Sequence, residues 1–141
     1  MPQPLVAPFT RLVINSVSGT SAHQQLAAAE ALNGPQDAVD EMVDEFRARR
    51  DLIVAGLNQI PGVNCRTPHG AFYVFPDMSG TGLTGPELER KLLNDAGVSV
   101  LSGTAFGTVG ANHLRISYAN SRHNISAALD RMRLVLEPLA V

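Results

Sequence analysis

The sequence predicts an α/β fold in which a small mixed β-sheet is covered by helices, and two observations lead to this prediction. Apolar residues recur at helical spacing in five stretches spread over the 141 residues. Short stretches between the later helices alternate apolar and polar residues, most clearly from Leu114 to Tyr118. Helices and strands in this order form a layered α/β domain, and the chain is long enough to bury a core.

Two predicted helices precede the domain. The first is an apolar series containing Pro8, which a helix tolerates only in its first turn. Thr20 or Ser21 caps the second, which runs through alanine-rich sequence to Leu32 and ends at the Asn33-Gly34 pair. The apolar positions of the first helix are Leu5, Val6, Phe9, Leu12 and Val13.

The third predicted helix is the longest, opening at Pro35 and stopping at Pro61-Gly62. Glu45 lies four residues before Arg49, a spacing that favours an ion pair on a solvated helix face. One apolar stripe is formed by Val39, Met42, Val43, Phe46, Ile53 and Leu57.

The remaining elements are predicted to be strands over residues 63–66, 71–75, 98–101 and 114–118, with two helices between and after them. Thr84 and Glu87 have the spacing of a capping box at the start of the fourth helix, and Gly97 ends it. Asn120 or Ser121 caps the last helix, whose apolar stripe is Ile125, Ala128, Leu129, Met132, Leu136 and Leu139.

Composition excludes several classes of function. The net charge is −2 and no basic run occurs, which argues against nucleic-acid binding. No apolar stretch reaches transmembrane length, and the N-terminus lacks the pattern of a signal peptide, so no membrane partner is expected. Cys65 is the only cysteine, which rules out an internal disulfide and fits a cytoplasmic location. We expect Cys65 to be a small buried residue, not a nucleophile.

The histidines predict no metal site. His23, His69, His113 and His123 lack the i, i+4 spacing of helical ligands, and no cluster of cysteines or carboxylates joins them. His113 precedes Arg115 by two residues and should share its face of the strand. We expect structural or surface roles for all four.

A glycine-rich loop that leads into a strand organises the second half of the chain. Gly103, Gly107 and Gly110 permit turns that a Cβ would hinder, and Phe106 lies among them as an apolar anchor. The strand that follows directs Arg115 to one face. An arginine there has two interpretations: a solvated or ion-paired side chain, or a guanidinium that binds a carboxylate through two parallel hydrogen bonds.

The segment from Gly103 to Ala119 resembles the C-terminal signature of class I/II aminotransferases, the pyridoxal-phosphate enzymes of the aspartate aminotransferase fold. It matches as Gly-x-x-Phe-Gly-x-x-Gly-x-x-x-x-Arg-Ile-Ser-x-Ala. Residues 70–75, Gly-Ala-Phe-Tyr-Val-Phe, are similar to a small-domain strand of that family. The resemblance implies that Arg115 binds the α-carboxylate of the substrate, and that Gly70 and Phe72 line the substrate site.

The resemblance also implies a division of the chain. Residues 1–34 correspond to the end of the large cofactor domain, and residues 35–141 to the C-terminal small domain. Lys91, the only lysine, falls in none of the family's cofactor motifs, and the family's Schiff-base lysine precedes the region where this chain begins. We therefore expect no catalytic residue, no cofactor-binding residue and no bound pyridoxal phosphate in this chain, which would be inactive alone.

The expected partners also follow from the resemblance. A complete enzyme would transfer an amino group between an amino acid and a 2-oxo acid as a homodimer, using a separate N-terminal cofactor domain. The apolar face of the first helix, including Leu5, Val6, Phe9 and Leu12, predicts an exposed patch, with self-association or disorder of that segment. The alternative function is a non-catalytic module that binds carboxylates or another subunit.

Overall fold

The structure, a computed structural model, describes residues 1–140. Over this range the prediction of five helices is confirmed. They are α1 (Gln3–Val17), α2 (Ala22–Asn33), α3 (Asp37–Asn58), α4 (Gly85–Ala96) and α5 (Arg122–Leu136). Within these described residues, no helix combines the length and the apolar character needed to cross a membrane.

The chain divides into two compact units, Met1–Asp40 and the residues from Glu41 onward, with the division inside α3. The first unit contains α1 and α2, neither of which has a buried residue. Pro8 lies beyond the first turn of α1, contrary to the prediction, because the helix already begins at Gln3 and has Pro4 in its first turn. Because proline has no backbone N–H, the helix lacks the hydrogen bond from residue 8 to the carbonyl of Pro4, which lies close to the helix start.

The second unit contains a three-stranded sheet of short strands. These are β1 (Tyr73–Val74), β2 (Leu101–Ser102) and β3 (Leu114–Ser117), in the order β1-β3-β2. The α/β class is confirmed, but both described strand pairs are antiparallel, so the sheet is not mixed. β3 is therefore the central strand, and Arg115 lies directly opposite Leu101.

The predicted strand over residues 63–66 is wrong. Only Asn64 forms a bridge, exchanging backbone hydrogen bonds with Asp77 at 2.9 and 2.8 Å. The next residue, Cys65, gives its N–H to the side-chain oxygen of Asn58 at 2.8 Å, and its carbonyl accepts the Asn58 amide at 2.9 Å. An asparagine at the end of α3 thus takes the backbone groups that a strand partner would use.

Two other strands are shorter than predicted. Ala71 has a φ of 58°, a left-handed conformation that cannot continue a strand, so β1 starts only at Tyr73. Before β2, the N–H of Val98 bonds to Leu92 at the end of α4, and the extended pairing begins at Leu101.

The core of this unit lies between the sheet and helices α3, α4 and α5. Its fully buried members include Leu57, Leu88, Leu92, Leu114 and Leu136. The predicted stripe of α3 is buried only in its C-terminal part, at Ile53 and Leu57, whereas Met42 and Val43 are exposed.

The predicted capping residues of α4 and α5 are present. The N–H of Thr84 donates to the Glu87 carboxylate at 2.8 Å, completing the capping box of α4. Ser121 caps α5, accepting the Asn124 N–H at 3.1 Å. Both helices therefore begin where the sequence signals place them.

Candidate functional site

Arg115 lies in the central strand, on the face opposite the core. Its neighbours Leu114 and Ile116 are buried, whereas Arg115 is half-buried and Ser117 is exposed, which is the alternation of a strand with one packed face. Burial of Leu114 and Ile116 therefore fixes the direction of the Arg115 side chain.

Two aromatic rings contact the guanidinium of Arg115. Its Cζ lies 4.6 Å from the ring centroid of Tyr73 and 5.2 Å from that of Phe106, both within the range of cation–π attraction. Tyr73 comes from β1, where it is paired with Ser117, so it reaches Arg115 diagonally across the two strands. The sequence analysis predicted Phe106 only as an apolar anchor and did not identify Tyr73. The pattern that could have identified Tyr73 is the alternation of β1 and β3, which places Tyr73 and Arg115 on the same face of the sheet.

No acidic side chain pairs with Arg115 within residues 1–140. The ion pairs found there involve other arginines and Lys91. The predicted pair of Glu45 and Arg49 is present at 2.7 Å, and Arg122 approaches the same carboxylate at 2.5 Å. Hydrogen bonds from Arg122 and then Arg49 lower the pKa of Glu45. Arg115 is therefore among the arginines that form no ion pair in the described residues.

The glycine-rich loop brings Phe106 to the site through a close backbone approach. An added Cβ on Gly103 would lie 2.3 Å from the carbonyl oxygen of Gly110, so neither chain segment leaves room for a side chain. The N–H of Gly103 donates to the carbonyl of His113 at 2.8 Å, joining the loop to the residue before β3. Only Gly107 among these glycines needs a left-handed φ, at 123°.

The predicted lining residues occupy different positions around the site. Phe72 is 41% exposed, and its ring lies 4.6 Å from that of Tyr73, one ring away from Arg115. Gly70 is exposed in the preceding turn and has nothing within 4 Å of a built Cβ. The carbonyl between them, on Ala71, accepts the hydroxyl of buried Tyr118 at 2.9 Å, which anchors this turn to the end of β3.

His113 extends the same face away from Arg115. Its ring stacks on Phe75 with centroids 5.0 Å apart, and its buried Nδ1 has no hydrogen-bond partner among the described residues. A cavity of about 310 Å³ opens beside it, lined by Asn64, Arg66, Phe75, Asp77 and His113. The backbone N–H of Ser79 is the main cause of a lowered pKa at Asp77, with a smaller effect from His113.

The other sequence candidates lie outside this site. Burial raises the pKa of the Cys65 thiol to about 11, so it is a poor nucleophile near neutral pH. No group of three or more potential metal ligands occurs in the described part of the chain.

The surroundings of Lys91 do not fit those of a lysine that forms a Schiff base with pyridoxal phosphate. Lys91 extends from α4 into an ion pair with Asp95, with Nζ 2.8 Å from Oδ2 and about a third of the lysine side chain exposed. A Schiff-base lysine needs a protected site that activates its amine, and this surface pair does not supply one.

The α/β fold and the strand arginine behind a glycine-rich loop are the features that carried the resemblance to class I/II aminotransferases. The model of the family "Aminotransferase class I and II" matches residues 6–132, and the chain belongs to this family.

Two curated relatives are the aspartate aminotransferases of Pyrococcus horikoshii and Rhizobium meliloti. Each is 38% identical to this chain, over 96% and 99% of its length respectively. The chain spans only 35% and 36% of those proteins. It therefore corresponds to about a third of such a protein.

Solved structures of aminotransferases are also similar to this chain, again over about a third of their own length. The crystal structure of the Rhizobium meliloti aspartate aminotransferase superposes with a TM-score of 0.88 at 37% identity, covering 99% of this chain and 37% of that one. An aromatic aminotransferase from Pyrococcus horikoshii gives a TM-score of 0.76 at 40% identity, covering 81% and 31%. A structure of a PLP-bound putative aminotransferase from Clostridium difficile gives 0.69 at 27% identity, covering 77% and 28%.

Proposed function

We propose that this chain supplies the substrate-carboxylate site of a pyridoxal-phosphate-dependent aminotransferase that transfers an amino group between an amino acid and a 2-oxo acid. Arg115 binds the α-carboxylate of the substrate. The observation that carries this proposal is a half-buried guanidinium on the central strand, flanked by two rings and without an acidic partner in residues 1–140.

The chemistry of the guanidinium suits this role. It is charged at all physiological pH values and offers a planar fork of N–H donors that matches a carboxylate. The rings of Tyr73 and Phe106 lie against the guanidinium and cover part of it, and a charged hydrogen bond is stronger where water is partly excluded. Binding there would fix one end of the amino acid and orient the bonds at its Cα for reaction.

The rest of the catalytic site would lie outside these 141 residues. Pyridoxal phosphate would supply the electron sink of the reaction, bound by a lysine of a cofactor domain that this chain does not contain. Residues 1–34 would belong with that domain and residues 35–141 would form the small domain. The chain alone would be inactive, and the complete enzyme would be a homodimer. The single buried cysteine fits a cytoplasmic location.

A hybrid enzyme tests this proposal. This chain would replace the matching C-terminal third of the Rhizobium meliloti aspartate aminotransferase, to which it is 38% identical. In an active hybrid, Arg115→Ala should lower kcat/KM by roughly two to three orders of magnitude, because losing a charged contact costs about 2–5 kcal/mol. Arg115→Lys should restore only part of the activity, since an ammonium lacks the planar fork.

The stability of the unmodified chain provides the control. Since Arg115 has no ion pair in the described residues, Arg115→Ala should lower the free energy of unfolding by about 1–2 kcal/mol, the size of the two lost ring contacts. Breaking a buried ion pair would cost about 3–5 kcal/mol. A large loss of stability together with unchanged hybrid activity would contradict the carboxylate role.

A further inference from the structure

The two rings beside Arg115 come from separate parts of the chain and reach the guanidinium independently. Tyr73 belongs to β1, whereas Phe106 ends the short 3₁₀ turn Gly103–Phe106. The distances from Cζ to the ring centroids are 4.6 and 5.2 Å. A free arginine side chain samples many rotamers, and ordering it costs more conformational entropy than ordering most side chains. The two ring contacts restrict these rotamers before a ligand binds.

Phe106 is not explained by core packing. Its side chain is 55% exposed, and a ring exposed to this extent adds little to the buried apolar core. The ring is nevertheless held in place, because it meets Phe75 edge-on with centroids 6.0 Å apart. The close contact of Gly103 with Gly110 fixes the backbone of the same loop. The chain thus holds an exposed phenylalanine in one position, and that position is beside Arg115.

We propose that Tyr73 and Phe106 are positioning residues that hold the Arg115 guanidinium ready to receive a carboxylate. This inference rests on the proposed function of Arg115. A ring attracts a guanidinium through its π face, so the rings hold the Arg115 side chain without a protein acceptor that would occupy its N–H donors. The N–H donors then remain available for the ligand. An aspartate in the place of either ring would fix the side chain equally well but would compete with the substrate.

Preorganisation predicts a measurable effect on binding. If the rings hold the guanidinium before the ligand arrives, removing one ring makes the ligand order the side chain itself, which weakens binding. Each ring contact at a partly exposed site contributes a factor of about two to five in affinity. Removing a ring should therefore raise the dissociation constant for a carboxylate and change the chemical shift of the Arg115 side-chain protons.

The experiment uses the complete 141-residue chain and sodium succinate as the carboxylate probe. Nuclear magnetic resonance follows the Arg115 Hε signal, which ring currents should shift in the free chain. The backbone amide signals of β3, titrated with succinate, give the dissociation constant in every variant, including Arg115→Ala. The variants are Tyr73→Leu and Phe106→Leu, which each remove a ring, and Tyr73→Phe, which keeps one. Phe9→Leu is the matched control, because Phe9 is similarly exposed, at 47%, and lies in the first unit.

We expect each leucine variant to lose part of the ring-current shift of Arg115 and to bind succinate about two- to fivefold more weakly. Tyr73→Phe and Phe9→Leu should match the unmodified chain in both measurements. A merely structural role of the rings would lower the melting temperature and leave the dissociation constant for succinate unchanged in a folded variant. If Tyr73→Leu does not fold, Phe106→Leu, in an exposed loop, decides the test.

Failure of this inference and failure of the proposed function give different results. If succinate binding is lost in Arg115→Ala but unchanged in both leucine variants, the positioning role is overturned and the carboxylate role stands. If the unmodified chain shows no succinate-dependent shift, or Arg115→Ala binds equally well, the carboxylate role is overturned, and the positioning role falls with it.

Discussion

At the scale of single residues, the neighbours of each charge distinguish Arg115 from Lys91. Arg115 meets two rings and no carboxylate in the described residues, whereas Lys91 is paired with Asp95 on the surface of α4. The first arrangement leaves a cation available for a ligand. The second holds a solvated ammonium that has no catalytic surroundings.

We predict that the purified chain forms no specific adduct with pyridoxal phosphate. The Lys91 ammonium is ion-paired and exposed to water, unlike the desolvated amines that form Schiff bases in enzymes. An absorbance titration should show only the weak, non-saturating change expected of any surface amine, and Lys91→Ala should differ little. A saturable band that disappears in Lys91→Ala would contradict this prediction.

Gly103 provides a prediction about packing at a single atom. A Cβ there would lie 2.3 Å from the Gly110 carbonyl oxygen, a backbone atom that cannot easily move. Gly103→Ala should therefore lower the free energy of unfolding by about 1–3 kcal/mol, measured by urea denaturation. Gly70→Ala is the matched control, since nothing lies within 4 Å of that Cβ, and it should change stability by less than about 0.5 kcal/mol. Equal effects of the two substitutions would show that the loop adapts.

At the scale of elements, helix α4 depends on local signals at its start. The Thr84 hydroxyl and backbone N–H both donate to the Glu87 carboxylate, at 2.6 and 2.8 Å. These hydrogen bonds, the side-chain one first, lower the pKa of Glu87 from its ordinary value of 4.5. Because the pKa is lower in the folded state, the contribution to stability is present above about pH 4.5 and is lost as pH falls through the folded-state pKa.

Thr84→Ala should lower the free energy of unfolding by about 0.5–2 kcal/mol near neutral pH, as a lost N-cap typically does. The difference from the unmodified chain should shrink as the pH falls through the folded-state pKa of Glu87 and the carboxylate becomes protonated. Thermal unfolding between pH 3 and pH 7 measures this, with Thr84→Ser as the control that keeps the hydroxyl. A difference that stays constant over this range would exclude a role for the Glu87 charge.

At the scale of the whole molecule, the N-terminal unit lacks a core of its own. Neither α1 nor α2 has a buried residue, and α1 exposes Phe9 at 47% and Leu12 at 63%. Short helices are marginal in water unless an apolar face is covered. The exposed apolar face of α1 is therefore a candidate surface for association.

We predict that the chain self-associates through α1. Sedimentation velocity should show a mass that increases with protein concentration, and Phe9→Glu should shift the distribution towards the monomer by placing a charge on the apolar face. Leu134→Glu is the matched control, because Leu134 is 76% exposed on α5 in the second unit and should leave association unchanged. A monodisperse monomer of the unmodified chain at all concentrations would contradict the prediction.

The sequence by itself determined the order of the helices, the caps of α4 and α5, and the strand that carries Arg115. These features depend on residues within about one turn of each other or on simple alternation, so the signals are local. The family assignment was also within reach of the sequence, because the motif around Arg115 is a continuous segment.

Only the tertiary structure decided what surrounds Arg115 and how far the strands extend. Asn58 at the end of α3 takes the backbone groups of Cys65 and stops a strand that the local sequence favoured. Tyr73 and Phe106 reach Arg115 because β1 pairs with β3 and because Gly103 lets the loop close on Gly110. These contacts join residues far apart in the chain, and their geometry is set by the packing of the whole domain, which no local pattern encodes.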